Sequence, residues 1–300
     1  MVSRSDSSRG FAYLYLIITA ASFGGNWVVG RALSNLVPPL AMTFWRWVVA
    51  LIFVLPLAWR HVQRDRIAMM AGWRTLLMLG ALGSTGFAVL SYWGLQYTAA
   101  INAALLNASM PLFILPLSFL VLGIRISAPQ AGGLVLSLVG VMIIILRGDP
   151  NLLVSLRPNR GDVLIIGAVV CWSIYTVTLR SAPRIHGMSF LFTTTLTGVL
   201  LNAPLYVWEI AQGARIILRT ETIVGLVFLG IFPALIAFIC WNAAVRTVGP
   251  NIAGLFLNLV PVFTAIFSMA FLGEKLYAYL VVGAIFVLGG VYLCTRRGAS

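Results

Sequence analysis

The sequence predicts an all-α integral membrane protein of ten transmembrane helices, arranged as two inverted five-helix repeats. Three observations carry this prediction. Of 300 residues, 61% are hydrophobic and 9% charged, and the mean hydropathy is +1.01, whereas a soluble domain carries roughly 25% charged residues. The apolar stretches are long and do not alternate, as the ~10-residue strands of a membrane barrel would. Finally, the second half of the chain falls on the first when it is shifted by 150 residues.

With so little polar surface the chain cannot cover its own apolar area in water. Lipid is the solvent for most of it, and in lipid only helices or closed barrels satisfy their own backbone. Apolar runs read against loop signals give segments at 11–33, 39–59, 72–98, 100–121, 129–146, 162–180, 188–210, 222–247, 249–271 and 278–295. The first opens at Phe11, behind Arg4 and Arg9. A signal peptide has a shorter apolar run of ~7–15 residues, so this reads as a first membrane helix. The longest polar interval runs from Arg147 to Arg160, rich in Pro, Asn and Arg, and it marks the midpoint. It divides the chain into a first five-helix unit at 11–146, a connecting extracytoplasmic loop at 147–161 and a second unit at 162–295.

The formal charge of +13 would ordinarily raise nucleic acid as a partner. Here the arginines cluster at the ends of apolar segments, which points to lipid headgroups and the positive-inside rule instead, with no nucleic acid involved. With the N-terminus placed in the cytoplasm, the inner side holds Arg4, Arg9, Arg60, Arg64, Arg66, Arg74, Arg125, Arg180, Arg184, Arg246, Arg296 and Arg297. The outer side then holds Arg31, Arg147, Arg157, Arg160, Arg215, Arg219 and Lys275. This bias places both termini in the cytoplasm, in a bacterial inner membrane. Trp59, Trp73 and Trp208 suit the interfacial belts. Cys171, Cys240 and Cys294 are scattered and odd in number, which suits small buried residues better than a metal site or a disulfide framework.

Between Ala103 and Val141 the 150-residue shift gives twelve identities in 39 gapless positions; at about one chance match in ten, roughly four would be expected. The matches include Pro111 with Pro261, Leu122-Gly123 with Leu272-Gly273, Gly133 with Gly283 and Gly140-Val141 with Gly290-Val291. Prolines and glycines set kinks and close packing, so their matching is informative. Five helices per repeat force the second copy to enter the membrane inverted, a common design in secondary transporters.

Several short stretches then acquire meaning by their order. They are Phe23-Gly24-Gly25-Asn26-Trp27, Arg31, Pro38-Pro39, Arg46, Gly94-Leu95-Gln96-Tyr97-Thr98-Ala99 and Pro111 in the first half. In the second half they are Trp172 with Tyr175, Trp241, Asn258-Leu259-Val260-Pro261-Val262 and Phe271-Leu272-Gly273-Glu274. This series resembles the drug/metabolite transporter superfamily, specifically its ten-helix EamA-type exporters, over nearly the whole chain. Among these it looks most like the aromatic amino-acid exporter (YddG-like) group. The resemblance implies a core of the first four and the sixth to ninth helices around a central cavity, with the fifth and tenth at the ends. One departure stands out: the first copy reads Leu122-Gly123-Ile124-Arg125 and lacks the carboxylate that Glu274 supplies in the second.

Every charged residue except Arg46 falls at or near a segment end. Arg46 lies about seven residues into the second segment, ~10 Å deep at 1.5 Å per residue, where a charge is expensive and usually functional or paired. Its guanidinium either faces the cavity and holds a substrate carboxylate or serves as a structural element bound to headgroups or backbone carbonyls. Polar and aromatic residues gather in matched segments. Asn26 and Trp27 answer to the region of Trp172 and Tyr175; Tyr92, Trp93 and Tyr97 answer to Trp241 and Asn242; Asn107 and Asn258 stand just before the matched prolines. Amides in hydrocarbon need partners, and aromatic walls with a few amides suit amphipathic zwitterions. Taken one at a time, each aromatic reads more readily as packing or facing lipid; taken as a set, they read as the walls of a cavity. Gly24, Gly25, Pro111 and Pro261 are the expected hinges, with a static kink as the plainer alternative.

No Asp, Glu or His lies deep in a segment, so the usual carboxylate proton relay is missing and facilitated export without obligatory proton coupling is expected. A membrane enzyme would need clustered acid, base, nucleophile or ligand residues, and neither HExxH nor GxSxG occurs. The resulting expectation is a secondary transporter, not an enzyme, that exports small metabolites, foremost neutral or aromatic amino acids, by alternating access. It needs no cofactor and no metal, its partners are the substrate and membrane lipids, and it can work as a monomer. Hydrophobic drugs are the alternative cargo. Sugar phosphates or nucleotide-sugars would call for more deep cations than Arg46 alone.

Overall fold

The computed structural model describes residues 2–98, 100–154, 159–273 and 275–296. Among the described residues there is no β-strand, and ten helices are long and apolar enough to cross a membrane. They are α1 (Ser8–Leu33), α2 (Pro39–Ala71), α3 (Trp73–Gly94), α4 (Ala103–Leu122), α5 (Ala128–Ile145), α6 (Arg160–Ser181), α7 (Gly187–Ala211), α8 (Thr220–Val248), α9 (Pro250–Phe271) and α10 (Ala278–Thr295). All ten predicted segments are present. Ala99, Arg157, Glu274 and Arg297, which entered the expectations above, lie outside the described residues.

The main departure is α2, which continues past Trp59 to Ala71. The stretch from Arg60 to Met70 is polar but contains neither Gly nor Pro, so the helix propagates out of the apolar zone on good helix formers until Gly72. His61 and Asp65 therefore sit on a helix and not in a loop.

Four helices are interrupted, and the interruptions pair up about 150 residues apart. A π-helical turn occupies Ala81–Gly86 in α3 and Gly230–Ile236 in α8. In α8 it contains Pro233, whose ring clashes with the preceding turn and which has no N–H to give; in α3 the same widening falls on a Gly-rich run. α4 pauses at Ser109, and α9 tightens to a 3₁₀ turn at Leu257–Leu259. Pro111 and Pro261 stand in the first turn after these breaks, where a missing N–H is tolerated. Both of these helices then end on a left-handed glycine, Gly123 at φ 66° and Gly273 at φ 69°, a conformation that strongly favours Gly.

The packing is paired in the same way. α1 lies against α8 and α9, α6 lies against α3 and α4, α2 packs on α7, and α5 packs on α10. The α5–α10 crossing is antiparallel and close. A methyl group on Gly133 would sit 2.4 Å from the Gly290 carbonyl oxygen, and one on Gly140 would sit 2.5 Å from that of Gly283. Small residues are what allow two membrane helices to approach this far. The most deeply buried large side chains, Trp47, Trp241, Tyr175, Phe190 and Phe238, come from α2, α6, α7 and α8.

Candidate functional site

Trp172 of α6 is the hub of the interior. Its ring meets Phe23 of α1 edge-on at 5.6 Å between centroids and Phe87 of α3 at 5.3 Å. It also meets Tyr175, one turn along its own helix, at 5.3 Å, and Phe238 and Trp241 of α8 at 5.7 Å each. Trp47 of α2 closes the group against Phe238 at 5.2 Å. Its indole N–H donates to the Ser84 carbonyl at 2.9 Å, inside the π-turn of α3, where widened helical geometry leaves a carbonyl without its usual partner. The π-turn thereby anchors one wall of the box.

Two indoles in this box are unsatisfied. Trp172 and Trp241 are almost fully buried, and neither indole N–H has a hydrogen-bond partner among the described residues; the Thr176 hydroxyl beside them is also without one. A buried donor left unpaired costs about 1–3 kcal/mol, and natural interiors keep few of them. Tyr175 donates from its hydroxyl to Asn242 Oδ1 at 2.6 Å, linking α6 to α8 on the side of the box toward the Arg246 end of α8.

Toward the other end lies Arg46, with 8% of its surface exposed. One guanidinium nitrogen donates to Asn26 Oδ1 at a long 3.4 Å, Nε has no partner among the described residues, and the Tyr92 hydroxyl lies alongside. The cation sits 5.2 Å from the Trp47 ring centroid, an attractive placement over an aromatic face. Arg46, Asn26 and Tyr92, from α2, α1 and α3, thus form one donor-rich corner joined through Trp47 to the aromatic box.

The remaining expected residues are distributed differently. Trp93 packs edge-on against Trp208 of α7 at 6.3 Å, and Tyr97 is 61% exposed. Trp27 is half-buried. Asn107 bonds back to the Ala103 carbonyl of its own helix, and Asn258 donates to Ser137 of α5 at 2.7 Å; each keeps a buried amide oxygen without a partner among the described residues. Gly24 and Gly25 are points of close approach, since an added methyl would lie 2.7 Å from Phe263 of α9 in one case and 2.9 Å from Phe228 of α8 in the other.

Trp47, Phe87 and Phe238 were not foreseen as site residues. Nothing in the sequence separates them from the many aromatics that face lipid; only the matched position of the π-turns could have singled out their level. Glu209, near the end of α7, is buried because both its oxygens accept backbone N–H groups of α2, from Leu40 at 3.0 Å and Ala41 at 2.7 Å. It caps a helix whose own N-cap residue, Pro38, offers no side-chain acceptor. Asp162 likewise caps α6 with Asn159 and accepts from the Thr98 hydroxyl. Both carboxylates hold helix ends and stand apart from the aromatic box.

Comparison with known proteins adds a family context. The family model described as the EamA-like transporter family matches residues 10–146 and 159–296. An uncharacterized transporter of Bacillus subtilis, YyaM, is 26% identical over 93% of this chain and 92% of its own length. One from Archaeoglobus fulgidus is 27% identical over 95% and 97%. A probable terminal-alkyne amino-acid exporter of Streptantibioticus cattleyicolor is 25% identical over 74% of this chain and 73% of its own. A crystal structure superimposes with a TM-score of 0.78 at 19% identity, covering 97% of this chain and 99% of the other, a likeness of fold.

Proposed function

The chain belongs to the EamA-like transporter family, and from that premise we propose that this multi-pass membrane protein exports neutral or aromatic amino acids and similar amphipathic zwitterions. The observation that carries the proposal is the pairing of a buried, under-coordinated Arg46 with an aromatic box that holds two unpaired indole donors. Donors without acceptors suit a carboxylate. The box of Phe23, Phe87, Trp172, Phe238 and Trp241 suits the apolar part of the same molecule. The amino-acid exporter among the relatives lends weight to this cargo class.

Alternating access between two inverted repeats is the mechanism we infer. Its support is the 150-residue correspondence of π-turns, helix breaks and left-handed caps, together with the crossing of Gly133 on Gly290 and Gly140 on Gly283. A two-fold axis in the membrane plane exchanges those two contacts. It also exchanges the packing of α1 on α8 and α9 with that of α6 on α3 and α4. Two such halves can open to either side at similar energy, with the breaks before Pro111 and Pro261 and the close approaches at Gly24 and Gly25 as hinge points. The positive-inside bias puts both termini in the cytoplasm of a bacterial inner membrane. The box contains no carboxylate among the described residues, so the inferred transport is facilitated and has no proton relay of its own.

The test is counterflow of radiolabelled amino acids in liposomes holding the purified protein. Saturable flux of neutral or aromatic amino acids, reduced at least tenfold by Trp172→Ala, is the expected result. A well-folded protein that moves no amino acid yet moves a hydrophobic cation would transfer the proposal to the drug-export reading.

A further inference from the structure

Outside the aromatic box, a groove of about 380 Å³ runs between the start of α7 and the last turns of α8, lined by His186, Met188, Phe190, Ile239, Asn242 and Arg246. We propose that it holds the headgroup of an anionic phospholipid, with one acyl chain lying along α8. By the orientation inferred above, this is a lipid of the cytoplasmic leaflet.

The chemistry of the groove is all donor at one end and all hydrocarbon at the other. Arg246 is exposed to the surroundings, and its guanidinium lies over the Phe190 ring at 5.3 Å, at the rim of the groove. Asn242 is 8% exposed, and its Oδ1 is taken by the Tyr175 hydroxyl at 2.6 Å. That bond leaves Nδ2 as the donor that Asn242 offers to the groove it lines. His186 lines the rim of the groove; its Nδ1 accepts the Met188 N–H and its ring stacks on His61 at 3.6 Å. The neighbouring carboxylate, Asp65, is engaged by the protein: it accepts the His186 backbone N–H and the Ser189 hydroxyl at 2.7 Å each, and it lines the adjoining pocket with His61 and Arg64. No carboxylate lines the groove itself among the described residues.

The shape selects a lipid over a soluble anion. Ile239 lies seven residues before Arg246 on α8, ~10 Å further along the helix at 1.5 Å per residue, and it is 39% exposed on the helical face it shares with Ala243 and Arg246. Met188, Phe190 and Ala243 extend that apolar wall. A free phosphate would engage the donors and leave this wall bare, whereas a phospholipid fills both. Basic sites between helices at the cytoplasmic surface are suited to anionic headgroups. A zwitterionic headgroup has less to gain, because among the described residues no acidic group lines the groove, and Asp65 beside it is already engaged by two protein donors.

Native mass spectrometry of the delipidated full-length protein, titrated with phosphatidylglycerol and with phosphatidylcholine, tests the assignment. Wild type is expected to retain one phosphatidylglycerol in clear preference to phosphatidylcholine. Arg246→Gln should weaken that binding about fivefold, the worth of one basic group near a membrane surface, while Arg219→Gln, an exposed arginine elsewhere, should leave it unchanged. A photoactivatable phosphatidylglycerol should crosslink to Met188 or Ile239. Equal binding of both lipids, equal losses in the two arginine variants, or displacement by millimolar inorganic phosphate or amino acid would overturn the proposal. Arg246→Gln alters an exposed side chain, and an unshifted melting temperature checks that it folds.

Discussion

Replacing Arg46 by methionine separates a substrate-binding arginine from a structural one. Within the protein, the substitution removes a 3.4 Å hydrogen bond to Asn26 and a cation held 5.2 Å from the Trp47 ring. The first is a hydrogen bond from a charged group, worth about 1.5–3 kcal/mol at good geometry and less at this length; the second is worth about 0.5–2 kcal/mol. Against them stands relief from burying a charge whose Nε has no partner among the described residues, so stability should change little in either direction. A carboxylate held by that guanidinium is another matter. A hydrogen bond to a charged group contributes about 1.5–3 kcal/mol, which is about 10–150-fold in affinity. Counterflow in liposomes should therefore show the half-saturating concentration of an amino acid rising by that factor in Arg46→Met, with Arg46→Lys in between because it keeps the charge and loses the fork. The control is the same amino acid without its carboxyl group. Its amine should bind wild type weakly and be indifferent to the substitution. Equal losses for acid and amine, or a fallen melting temperature with unchanged half-saturation, would refute the carboxylate role and leave Arg46 as a packing element.

Substitutions at three further sites probe the scaffold. Gly140→Ala and Gly290→Ala each place a methyl 2.5 Å from a backbone carbonyl across the α5–α10 crossing, so both should cost about 1–3 kcal/mol of stability. Equal drops in melting temperature with unchanged flux per folded molecule are expected; sharply unequal drops would count against a two-fold relation. Asp65→Ala removes the acceptor that ties the start of α7 to α2, which should cost about 0.5–2 kcal/mol. The measurable consequence is faster proteolysis near His186, with Asp65→Asn closer to wild type.

The fold was legible because membrane physics leaves few solutions. Long apolar runs in lipid must be helices, and prolines and glycines at a fixed offset marked where those helices break and touch. The end of α2 was not legible, since a hydropathy reading stops at the polar Arg60 while helix propagation does not. The site was half legible. Arg46, Asn26 and Tyr92 meet because a deep charge gathers what polar groups it can, and that logic is visible in sequence. Trp172, Tyr175, Trp241 and Asn242 also assemble. Trp93 and Tyr97 do not join them, because aromatic residues near a helix end serve an interface as readily as a cavity and only the rotation of α3 decides which. The π-turns that set this rotation have one proline between them, Pro233, so α3 gives no sequence warning of its own.

What repeats in this chain and what does not point to a division of labour. Positions 150 residues apart agree where backbone geometry is at stake: Gly123 with Gly273, Gly133 with Gly283, Gly140 with Gly290 and Pro111 with Pro261. They disagree where chemistry is at stake. Arg46 answers to Leu196, Asn26 to Thr176, Tyr92 to Asn242 and Trp172 to Ser22. On the inverted-repeat reading, a conformational change that exchanges the roles of the halves needs matched helix breaks and matched crossings; the repeat retains these, whereas Gly24 and Gly25 answer to Ile174 and Tyr175. A neutral amino acid, the proposed cargo, has a single carboxylate, and a second buried arginine on the opposite side would add a desolvation penalty without a second anion to offset it. The scaffold can therefore stay near two-fold while its buried charge sits on one side, at Arg46, and its aromatic bulk on the other, at Trp172 and Trp241. A bound zwitterion would lie with a fixed polarity across the membrane plane. The two access states would then differ in how the charged end reaches water, even though the backbone motion linking them would be the same in both halves.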